Sequence, residues 1–216
     1  MSAAVVLISP ALLLMFKPAA WGVAALVAFN LLKTPWARGY LGELLVRSQA
    51  RRGLPSPVYQ RVHNVTLRTP DGTTQIDHVF VSPYGVFAVE TKHMRGWIFG
   101  GERQAQWTQK LYRKTWRFQN PLRQNYKHVK VLEATLGIAA EHVHSVVVFS
   151  GNATFKTPMP ANVTRGRGFV GYIKSFREPV FSQARVDAIS RELQRQRLPA
   201  TWATSRAHVA HLRARK

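Results

Sequence analysis

Three side chains in one short stretch could do chemistry together. In TQIDHVFVSPYGVFAVETK (residues 74–92), Asp77 lies in one run of strand-forming residues, and Glu90 and Lys92 lie in the next. Strand residues two apart share a face, so Glu90 and Lys92 point the same way. The Pro83-Tyr84 step between the runs suits a type I turn. The runs therefore predict a hairpin in which Ser82 faces Gly85, Val81 faces Val86 and, further down, Asp77 faces Glu90. Lys92 then faces Gln75 on that side, and Ile76, His78, Phe80, Phe87 and Val89 form the opposite, core-facing side.

Two directly opposed carboxylates destabilise a sheet. At about 5 Å and an effective dielectric near 20, their repulsion is on the order of 3 kcal/mol. A shared proton, the neighbouring Lys92 ammonium or a divalent cation could offset it. The ligands are hard oxygens and the chain has no cysteine, so Mg²⁺ or Mn²⁺ is the natural ion. Such an ion would bind a phosphodiester oxygen and acidify an attacking water, with Lys92 steadying the developing negative charge. The competing reading is an exposed polar face with a cross-strand ion pair. Against it, Asp77, Glu90 and Glu43 are three of only ten acids in 216 residues.

Several elements must position these groups. Residues 39–52 predict a helix whose apolar face is Tyr40, Leu41, Leu44, Leu45 and Ser48, with Gly53 as its stop. Strands are predicted over 58–68, 73–82, 85–92 and 144–150, and GWIFGG (96–101) suggests a further short one. Asn120-Pro121 is a helix start, a capping side chain followed by proline at the first position. That helix runs to about Leu136, before Gly137. Its face of Leu122, Tyr126, Val129 and Leu136 leaves Gln124 to one side. Residues 183–197 predict a last basic amphipathic helix. The order describes a mixed α/β unit.

Lys and Arg total 31 and the net charge is +21. A surface so basic attracts polyanions, either nucleic acid or an anionic membrane. Residues 107–130, WTQKLYRKTWRFQNPLRQNYKHVK, interleave aromatic and basic side chains. Lys110, Arg113, Lys114, Arg117, Arg123, Lys127 and Lys130 could neutralise phosphates, and Trp107, Tyr112, Trp116 and Tyr126 could stack on unpaired bases. His78 belongs to the core face. His142, His144, His208 and His211 have no metal-ligand spacing, and no nucleophilic triad is apparent.

The N-terminus is of a different composition. Residues 3–32 hold one charge, Lys17. A span from about Leu12 to Leu32 would cross a bilayer, and a shallow hairpin at Lys17-Pro18 is the alternative. Lys33, Arg38, Arg47, Arg51 and Arg52 follow, so either topology leaves the remainder in the cytoplasm. The expected organisation is a membrane anchor over 1–33, a core over 34–180 and a basic helix and tail over 181–216.

GYLGE (39–43), TQIDHVFVSPYGVFAVETK, GWIFGG and NPLRQN (120–125) together resemble the nuclease-related domain family of the PD-(D/E)XK nuclease superfamily, from about Gly39 to Gly151. The resemblance implies a restriction-endonuclease-like core, a mixed β-sheet flanked by helices, that cuts DNA with Mg²⁺. It matches Glu43 to the family's helix acid, Asp77 to the first metal ligand, Glu90 and Lys92 to the E-x-K pair, and Gln124 to the helix glutamine. The expectation is a membrane-anchored, cytoplasmic, Mg²⁺- or Mn²⁺-dependent endonuclease. Its catalytic residues would be Glu43, Asp77, Glu90, Lys92 and Gln124, its metal ligands Asp77, Glu90 and Glu43, and its partner DNA, with RNA as the alternative. The rival is a non-catalytic nucleic-acid-binding or membrane-adaptor module on the same fold.

Overall fold

The computed structural model describes residues 34–199 and the single positions 22, 26, 30 and 201. The expected anchor over 1–33 and the end of the basic tail lie almost wholly outside the described residues. Among those residues, no helix is long and apolar enough to cross a membrane. The chain divides into two compact units, Met1–Leu41 and Gly42–Lys216, and the second carries both sheets and the candidate residues.

Helix α1 (Pro35–Gly53) leads into strands β1 (Gln60–Thr69), β2 (Gly72–Ser82) and β3 (Gly85–Lys92). Then come β4 (Gly96–Phe99), β5 (Gln106–Leu111), β6 (Lys114–Gln119), α2 (Pro121–Leu136), β7 (Val143–Phe149), β8 (Ala153–Phe155), β9 (Val163–Arg165), α3 (Gly168–Lys174) and α4 (Gln183–Gln196). They form two mixed sheets rather than the single one expected. The first has the order β1-β2-β3-β7-β9 and the second β6-β5-β4-β8. GWIFGG thus opens a separate sheet: β4 pairs antiparallel with β5 and parallel with β8.

Both faces of the first sheet are covered, which corrects the expectation of one core face. On one side α2 and α4 bring Val129, Leu132, Val186, Ile189 and Leu193 against Val79, Val81, Val86 and Ala88. On the other, α1 and α3 bring Val46, Ala50, Phe169 and Ile173 against Phe80, Phe87, Val89, Val146 and Val148. A third apolar cluster joins Ile98 and Trp107 of the second sheet to Val147 and Phe149. Burial on both faces explains why β3 and β7 read as unbroken apolar runs rather than alternating ones.

The hairpin register is the expected one. Ser82 pairs with Gly85, Val81 with Val86, and the ladder runs on to His78 and Val89. An interruption in the neighbouring ladder was not anticipated. The β1–β2 ladder pairs His63 with His78 and Val65 with Ile76 but skips Asn64 opposite Asp77. Asn64 has a φ of 53°, a left-handed conformation that asparagine tolerates better than most residues. Alternation reverses across this break, so Ile76 joins the Val79 and Val81 side instead of lying with Phe80.

The orientation of α1 also differs from expectation. Leu44 and Leu45 are exposed, while Val46 and Ala50 are fully buried. The reason is close packing at Gly42, where an added Cβ would lie 2.7 Å from the His93 Cβ and the Ser150 Oγ. Small residues, not leucines, let the helix approach the sheet.

Candidate active site

The site is built where α1, β2, β3 and α2 meet. Gly42 brings α1 against the chain just beyond Lys92, which places Glu43 at the end of the sheet. The interrupted ladder at Asn64 leaves Asp77 free of regular pairing with β1. Asp77 Oδ2 accepts a hydrogen bond of 2.7 Å from the Thr91 backbone N–H, tying it across to β3 next to Glu90. Glu90 and Lys92 point toward α2, on the side of Ala88. There Lys92 Nζ donates to Glu90 Oε1 at 2.7 Å and to Gln124 Oε1 at 2.8 Å.

Helix α2 is fixed by its own sequence. Asn120 caps it by accepting from the Leu122 N–H, Pro121 fills the first position, and Gly137 closes it in the left-handed conformation. The Asn120 amide also donates to the carbonyls of Glu102 and Gln104, anchoring the helix start to the loop before β5. One turn on, buried Asn125 donates to Ala88 O at 2.9 Å, Val146 O at 3.1 Å and Ser145 Oγ at 2.9 Å. These bonds fasten the helix to two adjacent strands and hold Gln124 over Lys92. Tyr126, expected on the apolar face, is instead 60 % exposed, and Asn125 and His128 take the inward positions.

His128 is a site residue that sequence reasoning missed. Its Nε2 stands 3.3 Å from Glu90 Oε2, both groups buried. Its Nδ1 lies 3.0 Å from Thr74 Oγ1. The available signal was spacing, since His128 follows Gln124 by four residues and so shares its helix face. Arg47 was likewise missed. It makes a 3.3 Å ion pair with Glu43 and a 2.9 Å hydrogen bond to Asn64 Oδ1, linking the helix acid to the break in β1.

The electrostatics separate the two central acids. Burial pushes Asp77 well above the usual aspartate range, and the charges of Glu90 and Glu43 add to the push; the Thr91 N–H and Lys92 only partly oppose it. Burial also works against ionised Glu90, but His128 and Lys92 outweigh it and hold that carboxyl below its usual value. Glu43 is raised, chiefly by burial, with Arg47 pulling it back and Glu90 adding to the rise. Without a cation, Glu90 is therefore the ionised member and Asp77 the one that resists ionisation. Such a divergence is typical of carboxylate pairs that share a site.

The acids fit a hard divalent cation in donor type, and among the described residues Asp77 has no ion-pair partner, only the more distant charge of Lys92. Among the described residues, however, no three Asp, Glu, His or Cys side chains converge into a metal cage.

The expected nucleic-acid contacts scatter over two elements. Lys110, Arg113, Lys114 and Arg117 are exposed on the β5–β6 hairpin, while Arg123 and Lys127 are exposed on α2. Arg123 donates to the Arg103 carbonyl at 2.8 Å, and Lys130 is paired with Glu133 at 2.6 Å. Trp107 cannot stack on a base. It is fully buried, parallel to Phe149 at 6.3 Å, with its Nε1 donating to Gly101 O. Tyr112 and Trp116 remain 90 % and 46 % exposed. His78 is structural as expected, buried with its Nδ1 3.0 Å from that of His63 and its Nε2 3.3 Å from Thr91 Oγ1.

Comparison with known proteins identifies the family. An uncharacterized protein of Bacillus anthracis is 45 % identical over 115 residues, covering 51 % of this chain and 54 % of that one. The chain thus spans about half the length of this curated relative. The family model for the nuclease-related domain matches residues 38–150, the segment from α1 through β7 that carries Glu43, Asp77, Glu90, Lys92 and Gln124. With half its length matched, the chain belongs to the nuclease-related domain family.

Proposed function

We propose that the chain hydrolyses phosphodiester bonds of DNA in a reaction that depends on Mg²⁺ or Mn²⁺. The observation that carries this reading is the placement of Lys92 Nζ between Glu90 Oε1 and Gln124 Oε1, on the strand that Asp77 is bonded to. Asp77 and Glu90 would hold the cation, with Glu43 reaching it directly or through water. A bound divalent cation supplies a positive centre for a phosphate oxygen and acidifies a nearby water. Lys92 presents a fixed ammonium to the charge that builds on phosphorus oxygens. Gln124 holds that ammonium in line, and its amide N–H groups can donate to the incoming water or phosphate. His128 stands beside the second Glu90 oxygen, which accepts no hydrogen bond among the described residues and so keeps a lone pair for the cation. The basic side chains of the β5–β6 hairpin and α2 would position the DNA backbone without reading sequence.

The reading includes a membrane anchor over residues 1–33 with the catalytic unit on the cytoplasmic side, supported by the apolar composition and the following basic residues. A second reading, a nucleic-acid binder without turnover, is favoured by one observation: Glu90 Oε1 is already engaged by Lys92, while Oε2, 3.3 Å from His128 Nε2, accepts no hydrogen bond among the described residues. Plasmid nicking by the full chain with Mg²⁺, Mn²⁺ or EDTA separates the two. Metal-dependent nicking by the wild type and none by Asp77→Ala supports hydrolysis. Identical behaviour of both proteins in every condition refutes it and leaves the binding module.

A further inference from the structure

The second sheet has an outer face whose aromatic centre the catalytic reading does not use. Trp97 stands in its middle, 46 % exposed. The register places Lys110 of β5 directly beside Trp97 on one side and Thr154 of β8 on the other. Lys110 Nζ lies 5.7 Å from the Trp97 ring centroid, and Lys156 Nζ lies 4.5 Å from it. Arg117 shares this face, because its β6 position is opposite Thr108, two residues from Lys110 on β5. Beside Trp97 runs an open groove of about 870 Å³, lined also by His93, Arg95, Tyr112 and Asn152. That volume is within the range of clefts that take small ligands. The groove begins at His93, the residue after Lys92.

The combination is specific. Trp97 stays 46 % exposed although Lys110 and Lys156 stand over its ring, a contact that an incoming base can exchange for stacking, and two ammonium groups beside one ring favour an anion there. Between residues 93 and 119 the only acid is Glu102, against six Lys and Arg. A partner that brings both phosphates and flat unpaired rings satisfies every group. Duplex DNA brings the phosphates but keeps its bases stacked inside. An apolar protein or lipid partner would have to bury the charges.

We propose that this face, with Trp97 as the stacking platform and Lys110, Lys156 and Arg117 as phosphate contacts, binds unpaired nucleotides of a single DNA strand and leads that strand to Lys92. The inference deepens the nuclease reading by assigning the substrate a single-stranded segment, and its test uses binding alone. Fluorescence anisotropy of a labelled oligothymidylate and of a labelled duplex of equal length is measured with the full-length protein in EDTA. Trp97→Leu keeps apolar bulk without a π face, and Trp97→Phe keeps a ring. Base–aromatic stacking predicts a loss of about 5- to 150-fold in single-strand affinity for Trp97→Leu. Duplex affinity should stay unchanged, and Trp97→Phe should recover most of the loss. Lys110→Gln with Lys156→Gln should weaken both ligands and reduce the salt dependence of binding.

Unchanged single-strand binding by Trp97→Leu overturns the proposal. Equal losses on single strand and duplex also overturn it, as does Trp97→Phe behaving like Trp97→Leu. Loss of anionic-vesicle capture in Trp97→Leu, with oligonucleotide binding unchanged, would assign the face to a membrane instead. Binding that follows the expected pattern in a protein that never nicks DNA would refute the catalytic reading and leave this one standing.

Discussion

Replacing Asp77 by Asn tests the central electrostatic argument because the change is nearly isosteric. The asparagine Oδ1 can still accept from the Thr91 N–H, which is 2.7 Å from Asp77 Oδ2, so the backbone tie survives. What disappears is a charge that burial, Glu90 and Glu43 all oppose. Two opposed carboxylates about 5 Å apart at an effective dielectric near 20 repel by on the order of 3 kcal/mol. Part of that is already relieved by protonation and by Lys92, so about 1 kcal/mol is the expected gain for the metal-free variant. In a domain of this size that raises Tm by roughly 2–4 °C.

The sign with pH follows from linkage. A carboxyl whose folded value is raised favours the folded state below the ordinary aspartate value of about 4, and that contribution is lost as pH rises through the folded value. The advantage of Asp77→Asn should therefore be present near neutral pH and vanish in acid, where both side chains are neutral. Saturating Mg²⁺ should reverse the order, since ligand at about 100 times its Kd adds ~2.7 kcal/mol to a protein that binds it and nothing to one that does not. The assay is thermal denaturation of both proteins in EDTA and in Mg²⁺. A variant less stable than wild type in EDTA, or one with an undiminished Mg²⁺ response, refutes the argument.

Two further outcomes are expected. Asn125→Ala leaves the buried Ala88 and Val146 carbonyls and Ser145 short of a donor, which should cost about 1–3 kcal/mol in urea denaturation and lower any nicking rate by displacing Gln124; a change under about 0.5 kcal/mol would show that the helix is held otherwise. The His63 ring is lowered to about 4, by burial first and then by Arg47, Arg61 and Arg51. The unfolded chain takes up its proton near pH 6.5 while the folded chain resists, so stability should fall as pH drops from about 6.5 toward 4. The full shift corresponds to ~3 kcal/mol, which solvent screening of a half-buried ring reduces to about 1. Urea midpoints across that window should decline more steeply for wild type than for His63→Gln, and parallel slopes would contradict the assignment.

The central hairpin was legible because its turn chemistry and two apolar runs leave one register that buries them, and Asp77, Glu90 and Lys92 came with it. Helix α2 was legible from Asn120, Pro121 and Gly137, each placed by a local backbone requirement. What was hidden depends on tertiary contacts. Nothing in the sequence around Asn64 marks a left-handed residue that reverses the alternation of β2. The leucines of α1 form the more obvious stripe, yet close approach at Gly42 turns Val46 and Ala50 inward. Strands β5 and β6 show little apolar alternation, because only Trp107 and Phe118 face the interior from them, and their charge pattern suggested a binding segment rather than a sheet. A single histidine in a helix looks like any other polar residue, so His128 emerged only with Glu90 beside it.

The parallel pairing of β3 with β7 joins Val86 to Val143, 57 residues apart along the chain. Closing so long a loop costs entropy that must be spent before the contact gives anything back. On the ribosome, the acids and Lys92 emerge well before the strand and helix that wall them in. A nascent chain therefore carries Asp77, Glu90 and Lys92 in order but has no enclosed site around them until β7 has been translated.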